Sequence, residues 1–196
     1  MNHRSVLLHV VLLATFVALA PGCQSTGSRS PYAQNDSIAR NPTRAHELTQ
    51  QALGFMADDL RRAEQILRDA LVADLYHGPA HNNLGVIHLG RGELYEAASE
   101  FEWARKLMPG HPDPRLNLGL ALERAGKIDD ALNAYAAALD TMPGHLPSIQ
   151  ALARAQLRHN RQDDRTREML EMIAFRSSEQ WRRWARTQLA IRQSGV

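Results

Sequence analysis

Apolar and small residues between positions 78 and 145 recur in three- and four-residue steps. Leu84, Gly85, Ala97, Phe101 and Ala104 come first, then Leu118, Gly119, Ala131, Tyr135 and Ala138. Such steps line one face of a helix, and no stretch alternates β-branched with polar residues as a strand would. Pro109 and Pro143 cannot continue a helix interior, so each closes one helix and starts a turn. Asp113 before Pro114 reads as an N-cap followed by proline in the first turn. The pattern predicts short helices paired as hairpins.

Two of these hairpins are copies. Residues 78–111 align on 112–145 without a gap. Asn83-Leu84-Gly85 returns as Asn117-Leu118-Gly119, Gly92 as Gly126, Ala97 as Ala131 and Ala104 as Ala138. Phe101 returns as Tyr135, and the Met-Pro-Gly-His run from Met108 returns from Met142, always 34 residues on. Gly85 and Ala97 fall where two helices cross closely, because a larger side chain would hold the backbones apart. Run backward, the frame places a degenerate hairpin at 44–77. Its first helix (Arg44 to Ala57) has Gln51 where a small residue is expected, while Ala63, Leu67 and Ala70 suit the second helix. Run forward, Leu152 and Ala153 keep the pattern, but Arg165 stands where alanine belongs, so 146–175 reads as a decayed fourth hairpin. Ser177 with Gln180 suggests a capping box opening a last helix to about Gln193. That helix, within 176–196, carries Trp181, Trp184 and Leu189, which read as a cap over the last exposed core; a ligand box is the alternative.

The small residue at place eight, alanine at twenty, aromatic at twenty-four, alanine at twenty-seven and proline at thirty-two resemble the tetratricopeptide repeat. Two places depart from that pattern. Place four holds His81 or Arg115 where a large residue is usual, and place eleven holds His88 or Leu122 where tyrosine is usual. The resemblance implies an all-α, right-handed solenoid of helix-turn-helix repeats with a C-terminal capping helix. It also implies a concave groove lined by the first helix of each hairpin. Its groove places fall on Leu48, Ala52 and Phe55, then on Asn82, Asn83, Val86 and Leu89. In the third hairpin they fall on Leu116, Asn117, Leu120, Glu123 and Arg124. Asn83 and Asn117, one repeat apart, would either hold the backbone of an extended peptide or bond between helices. The Lys-Asn-Arg carboxylate clamp known in the family does not match, since its basic places hold Leu48, Asp113 and Asn117. A mixed apolar and amide groove for a protein or peptide ligand is the expectation.

The N-terminus is patterned differently. Arg4 precedes an apolar run from Val6 to Ala20, and Ala20-Pro21-Gly22-Cys23 follows. At 1.5 Å per residue the run reaches about 22 Å, short of the ~30 Å hydrocarbon core, so a removed signal (1–22) is expected instead of a span. Cys23, the chain's one cysteine, resembles the lipobox cysteine of bacterial lipoproteins, although Ala20 and Pro21 depart from that motif. The resemblance implies thiol acylation, cleavage before Cys23 and a membrane anchor. The alternative is a secretory signal with an incidental cysteine. Gln24 in place of aspartate implies, by the same resemblance, the outer membrane facing the periplasm. Residues 23–43, rich in Ser, Asn, Gly and Pro, read as the lipidated cysteine and a flexible tether.

Composition sharpens the picture in two ways. Only 6 % of residues are aromatic, so a single deep core is not expected, whereas stacked Ala- and Leu-rich hairpins are. Formal charge is −5 over residues 44–145 and +5 over 146–196. The Arg-rich end reads as a solvated helix surface, with an acidic partner or an anionic membrane as alternatives; no nucleic-acid motif accompanies it. His77 and His81 are four apart, but Gly78-Pro79 interrupts the helix between them, so no metal is expected. No catalytic motif is present, and Asp58-Asp59 and Asp129-Asp130 suit helix starts. No catalytic residue, metal or cofactor is therefore expected. The leading reading is an envelope lipoprotein adaptor, serving assembly of a pilus, secretion or cell-wall complex. The others are a structural lipoprotein self-associating through Trp181 and Trp184, and an enzyme or the non-catalytic subunit of an envelope enzyme complex.

Overall fold

The computed structural model describes residues 40–193. Cys23, the expected signal and most of the expected tether lie outside the described residues. Among those residues the chain forms nine helices and no strand. They are α1 (Pro42–Leu53), α2 (Leu60–Ala73), α3 (Gly78–Arg91), α4 (Leu94–Leu107), α5 (Asp113–Arg124), α6 (Ile128–Thr141), α7 (Leu146–Arg158), α8 (Asp164–Arg176) and α9 (Glu179–Gln193). Each helix packs on the next, giving four hairpins and a closing helix.

The hairpins are held by one crossing repeated with different side chains. A Cβ built on Gly85 would lie 2.5 Å from Cε1 of Phe101, and one on Gly119 would lie 2.5 Å from the Tyr135 ring. Both rings are fully buried. The glycines are thus seats for the rings, as the spacing predicts. Outside the central hairpins the ring shrinks to Leu67 or Leu170, and the seat grows to Thr49 or Ala153, all four buried. Volume is conserved at the crossing while both partners change.

Thr49 corrects the expectation for the first hairpin. Ala45, Leu48, Thr49 and Ala52 are the buried residues of α1, and they precede His81, Leu84, Gly85 and His88 by 36 positions. In α2, Ala63, Leu67 and Ala70 precede Ala97, Phe101 and Ala104 by 34. The turn through Gly54 and Asp59 therefore holds two extra residues, and the small place belongs to Thr49, not to exposed Gln51. The Thr49 hydroxyl is satisfied by donating to the Ala45 carbonyl at 2.8 Å. The helix also starts two residues before the expected Arg44, with Asn41 accepting from the Arg44 amide.

The fourth hairpin is likewise better formed than its sequence suggests. Gly92 (φ 79°) and Gly126 (φ 76°) end α3 and the α5 turn in the left-handed region, and Asn160 (φ 54°) takes the same place 34 residues later. Asparagine tolerates that conformation. The amides of Glu93, Lys127 and Arg161 then make equivalent bonds to the carbonyls of His88, Leu122 and Gln156. One residue is inserted after this cap, so Thr166, Leu170 and Ile173 follow Ala131, Tyr135 and Ala138 by 35. Thr166 occupies the alanine place; Arg165 is exposed beside it. Asp163 and Thr166 form a reciprocal capping box at the start of α8, each side chain accepting from the other's amide at 3.0 Å.

Two expected caps are displaced. Ser177 does not open α9. It ends α8, and its hydroxyl accepts from the Gln150 side chain at 2.9 Å, while the Arg182 amide bonds to the Ser178 carbonyl. Asp113 is the first residue of α5, not its N-cap, and its carboxylate faces His145 Nε2 at 3.3 Å. At the other end, Asp74 is buried and paired with Arg40 at 2.8 Å, and this hydrogen bond holds its carboxyl below the usual range. Glu64 is also held low: burial pushes it up, but hydrogen bonds from Arg68 and Arg91 outweigh that. Arg91 ties the second hairpin to the first through this carboxylate.

Candidate protein-binding surface

The first helices of successive hairpins (α1, α3, α5 and α7) touch one another, whereas α2, α4, α6 and α8 make no such contacts among the described residues. A stack that is closer on one side bends toward it, so the first helices form the inner face. The residues expected there separate into three groups.

Leu48, Ala52 and Leu89 are buried in the core and offer no surface. For Leu48 and Ala52 the two-residue insertion is the cause. It brings exposed His46, Glu47, Gln50 and Leu53 to the corresponding places. Phe55 lies in the turn beneath the Arg62 guanidinium, 4.1 Å from its ring centre. Asn82, Asn117, Glu123 and Arg124 reach the inner side but are engaged between helices. Asn117 donates to the Asn82 side chain at 3.0 Å, and Arg124 donates to the Leu89 carbonyl at 2.9 Å. The Glu123 side chain, 7 % exposed, accepts from the Tyr135 hydroxyl (2.9 Å), Arg158 (3.0 Å) and His159 (3.3 Å). Burial first, and then the bond to Glu123, raise the Tyr135 phenol above its ordinary range, so it remains a donor.

Asn83, Val86, Leu116 and Leu120 remain. Val86 is 37 % exposed, and Asn83, Leu116 and Leu120 are half-buried. Asn83 makes no side-chain hydrogen bond among the described residues, so the two asparagines that look equivalent in sequence are not. One offers its amide to a ligand; the other joins two hairpins.

The surface continues onto residues that the sequence pattern did not single out. A cavity of about 310 Å³ is lined by Leu120, Glu123, Arg124, Arg154, Arg158 and His159. A second, about 180 Å³, shares Leu120 and Arg154 and runs to Gln150, Ala151 and Trp181. Arg154 stands 34 residues after Leu120, so the repeat frame carries this signal once the fourth hairpin counts as intact. Trp181 and Trp184 meet edge to face at 5.2 Å, half-buried against the core that includes Ile149, Leu170 and Ala185. Among the described residues no group of three His, Cys, Asp or Glu side chains converges to hold a metal, and no helix is long and apolar enough to cross a membrane.

This architecture is the all-α tetratricopeptide-repeat solenoid. A tetratricopeptide-repeat family model matches residues 88–157. The chain is 33 % identical over 85 residues to "Tetratricopeptide repeat protein 8" of Caenorhabditis elegans; the match covers 43 % of this chain and 16 % of the worm protein. The chain thus spans about a sixth of that relative's length. Among solved structures, the first tetratricopeptide domain of Spaghetti (RPAP3) bound to the HSP90 peptide SRMEEVD superposes with a TM-score of 0.59 at 16 % identity. That likeness covers 63 % of this chain and 98 % of the domain. The Thermobaculum terrenum O-GlcNAc transferase superposes with a TM-score of 0.62 at 21 % identity, over 74 % of this chain and 27 % of the enzyme. At these identities the likenesses show the fold alone.

Proposed function

We propose that the chain is a membrane-anchored adaptor of the bacterial cell envelope, lipidated on Cys23 and docking an extended segment of a partner protein along its inner face. Tetratricopeptide repeats mediate protein–protein interactions, which supports the adaptor half of the reading. The observation that carries it is the unpartnered Asn83 amide beside exposed Val86, with Leu116 and Leu120 next along the same face. An amide supplies one acceptor and two donors to a peptide backbone, and the leucines supply an apolar floor. The lipobox-like end at Cys23, with Gln24 after it, supports an anchor at the outer membrane facing the periplasm. The partner is then a subunit of an envelope assembly, such as a pilus, secretion or cell-wall complex.

Site-specific photocrosslinking in cells tests the docking face. A crosslinker replacing Val86 is expected to give a discrete adduct, and one replacing Tyr95, which is 85 % exposed on α4, is expected to give none. Asn83→Ala should weaken the isolated complex by about 1 kcal/mol, roughly fivefold, with the helical signal unchanged. Equal crosslinking from both faces would sink the groove reading. The anchor is tested separately: Cys23→Ala is expected to abolish palmitate labelling and release the protein from membranes. Unchanged fractionation and an unlabelled wild type would remove the anchor.

A further inference from the structure

The half of the inner face between α5, α7 and the start of α9 carries an arrangement that a general docking surface does not require. Arg154 Nε is buried and has no hydrogen-bond partner. Buried donors are ordinarily satisfied, so an orphaned one beside two open cavities marks a place where an acceptor belongs. The other cations around it are committed. Arg158 is paired with Glu123 at 3.0 Å, and Arg124 donates to the Leu89 carbonyl. Glu123 is the one carboxylate lining either cavity, and it is already held by Tyr135, Arg158 and His159. Three arginines against one occupied carboxylate leave a net positive pocket with one guanidinium unsatisfied.

The second cavity adds a different chemistry. It begins at Arg154 and passes between Leu116, Leu120 and Ala151 to the Trp181 ring. A carboxylate on Arg154 would therefore be followed, along the face, by room for an apolar side chain against an aromatic wall. Guanidinium suits planar carboxylate recognition, and a half-buried tryptophan supplies contact area with little ordering of its own.

We propose that this site binds a peptide segment bearing a single acidic side chain followed by an apolar one, the carboxylate on Arg154 and the apolar group between Leu120 and Trp181. The proposal rests on the reading of the inner face as a peptide-docking surface, and it names the chemistry of the segment. The occupant is a peptide, not a nucleic acid: one free guanidinium serves one carboxylate, the fixed charge of Glu123 opposes a polyanion, and the adjoining cavity is walled by hydrocarbon. The site also differs from the Lys-Asn-Arg clamp of the family, whose places hold Leu48, Asp113 and Asn117 here.

The test uses the full chain and a set of fluorescein-labelled peptides of Ser-Ala background carrying a central Glu-Phe, Gln-Phe, Glu-Ser or phosphoserine-Phe pair, read by anisotropy. Glu-Phe is expected to bind about tenfold or more tightly than Gln-Phe. Arg154→Gln is expected to remove that preference and leave Gln-Phe binding unchanged. Trp181→Leu should reduce Glu-Phe toward Glu-Ser, and Arg161→Gln on the opposite side should change nothing. Equal affinity of the wild type for Glu-Phe and Gln-Phe, or a preference that survives Arg154→Gln, overturns the site. A stronger preference for phosphoserine, or displacement by single-stranded oligonucleotide, overturns the choice of ligand. The crosslink from position 86 separates the levels: if it persists while Arg154→Gln has no effect on peptide preference, the docking face stands and this site falls.

Discussion

Phe101→Ala is expected to cost about 3–5 kcal/mol and to lower the urea midpoint of the array more than any other single truncation in the second hairpin. The ring is fully buried against Gly85, so its removal opens a cavity that neither helix backbone can close. The reverse change tests the same contact. Gly85→Ala adds one methyl 2.5 Å from the ring edge, and overpacking of this kind costs about 1–3 kcal/mol. This happens although alanine is the better helix former by about 0.5–1 kcal/mol. The decisive experiment combines a smaller ring substitute with a larger seat. Gly85→Ala with Phe101→Leu should be less destabilised than the sum of the singles by about 0.5–3 kcal/mol, the range seen for residues in contact. The chain already contains this double exchange, because Ala153 faces Leu170 in the fourth hairpin and Thr49 faces Leu67 in the first. Strict additivity would show that crossing volume does not couple the two positions.

That comparison also explains which parts of the fold are legible in the sequence. The crossing is, because only glycine or alanine admits an aromatic ring at that distance, and the residue type survives each duplication. Turn length is not, since one or two extra residues on the surface leave both helices intact and only shift their register. The 34-residue frame therefore assigned Gln51 to a place that Thr49 fills, and Arg165 to one that Thr166 fills. Asn160 hid the third left-handed cap, because it does not look like Gly92 and Gly126 although it adopts their conformation. The candidate site suffered from the same slip. Leu48 and Ala52 were taken for surface because the first helix was read two residues out of register. Arg154 and Trp181 were passed over because the hairpin carrying Arg154 looked decayed. Whether an inner-face polar group is free or spent was never in the sequence: Asn83 and Asn117 differ only in that Asn82 lies within 3.0 Å of the second.

The two departures from the repeat pattern, His81 and His88, lead to the second large effect. Both are buried, and each has acquired an acidic partner: Glu100 lies 2.6 Å from His81 Nδ1, and Glu93 lies 2.5 Å from His88 Nδ1. The first pair is the more deeply enclosed. His81 Nε2 also meets the Leu75 carbonyl at 2.9 Å, and the Trp103 ring stacks on the imidazole at 5.7 Å. The imidazole is thus held on both edges and one face. Glu100→Ala is expected to cost about 3–5 kcal/mol, because it removes the acceptor of a buried polar ring that water cannot reach. His81→Leu with Glu100→Leu should recover most of that loss, since an apolar pair of similar volume avoids desolvating the two polar groups. Urea denaturation of the three variants decides the matter. A Glu100→Ala loss below about 0.5 kcal/mol, the ordinary range for surface positions, would mean that the pair is solvated and contributes nothing. If the double variant instead stays as unstable as Glu100→Ala, then histidine at place four holds α3 and α4 together through contacts that hydrocarbon does not replace.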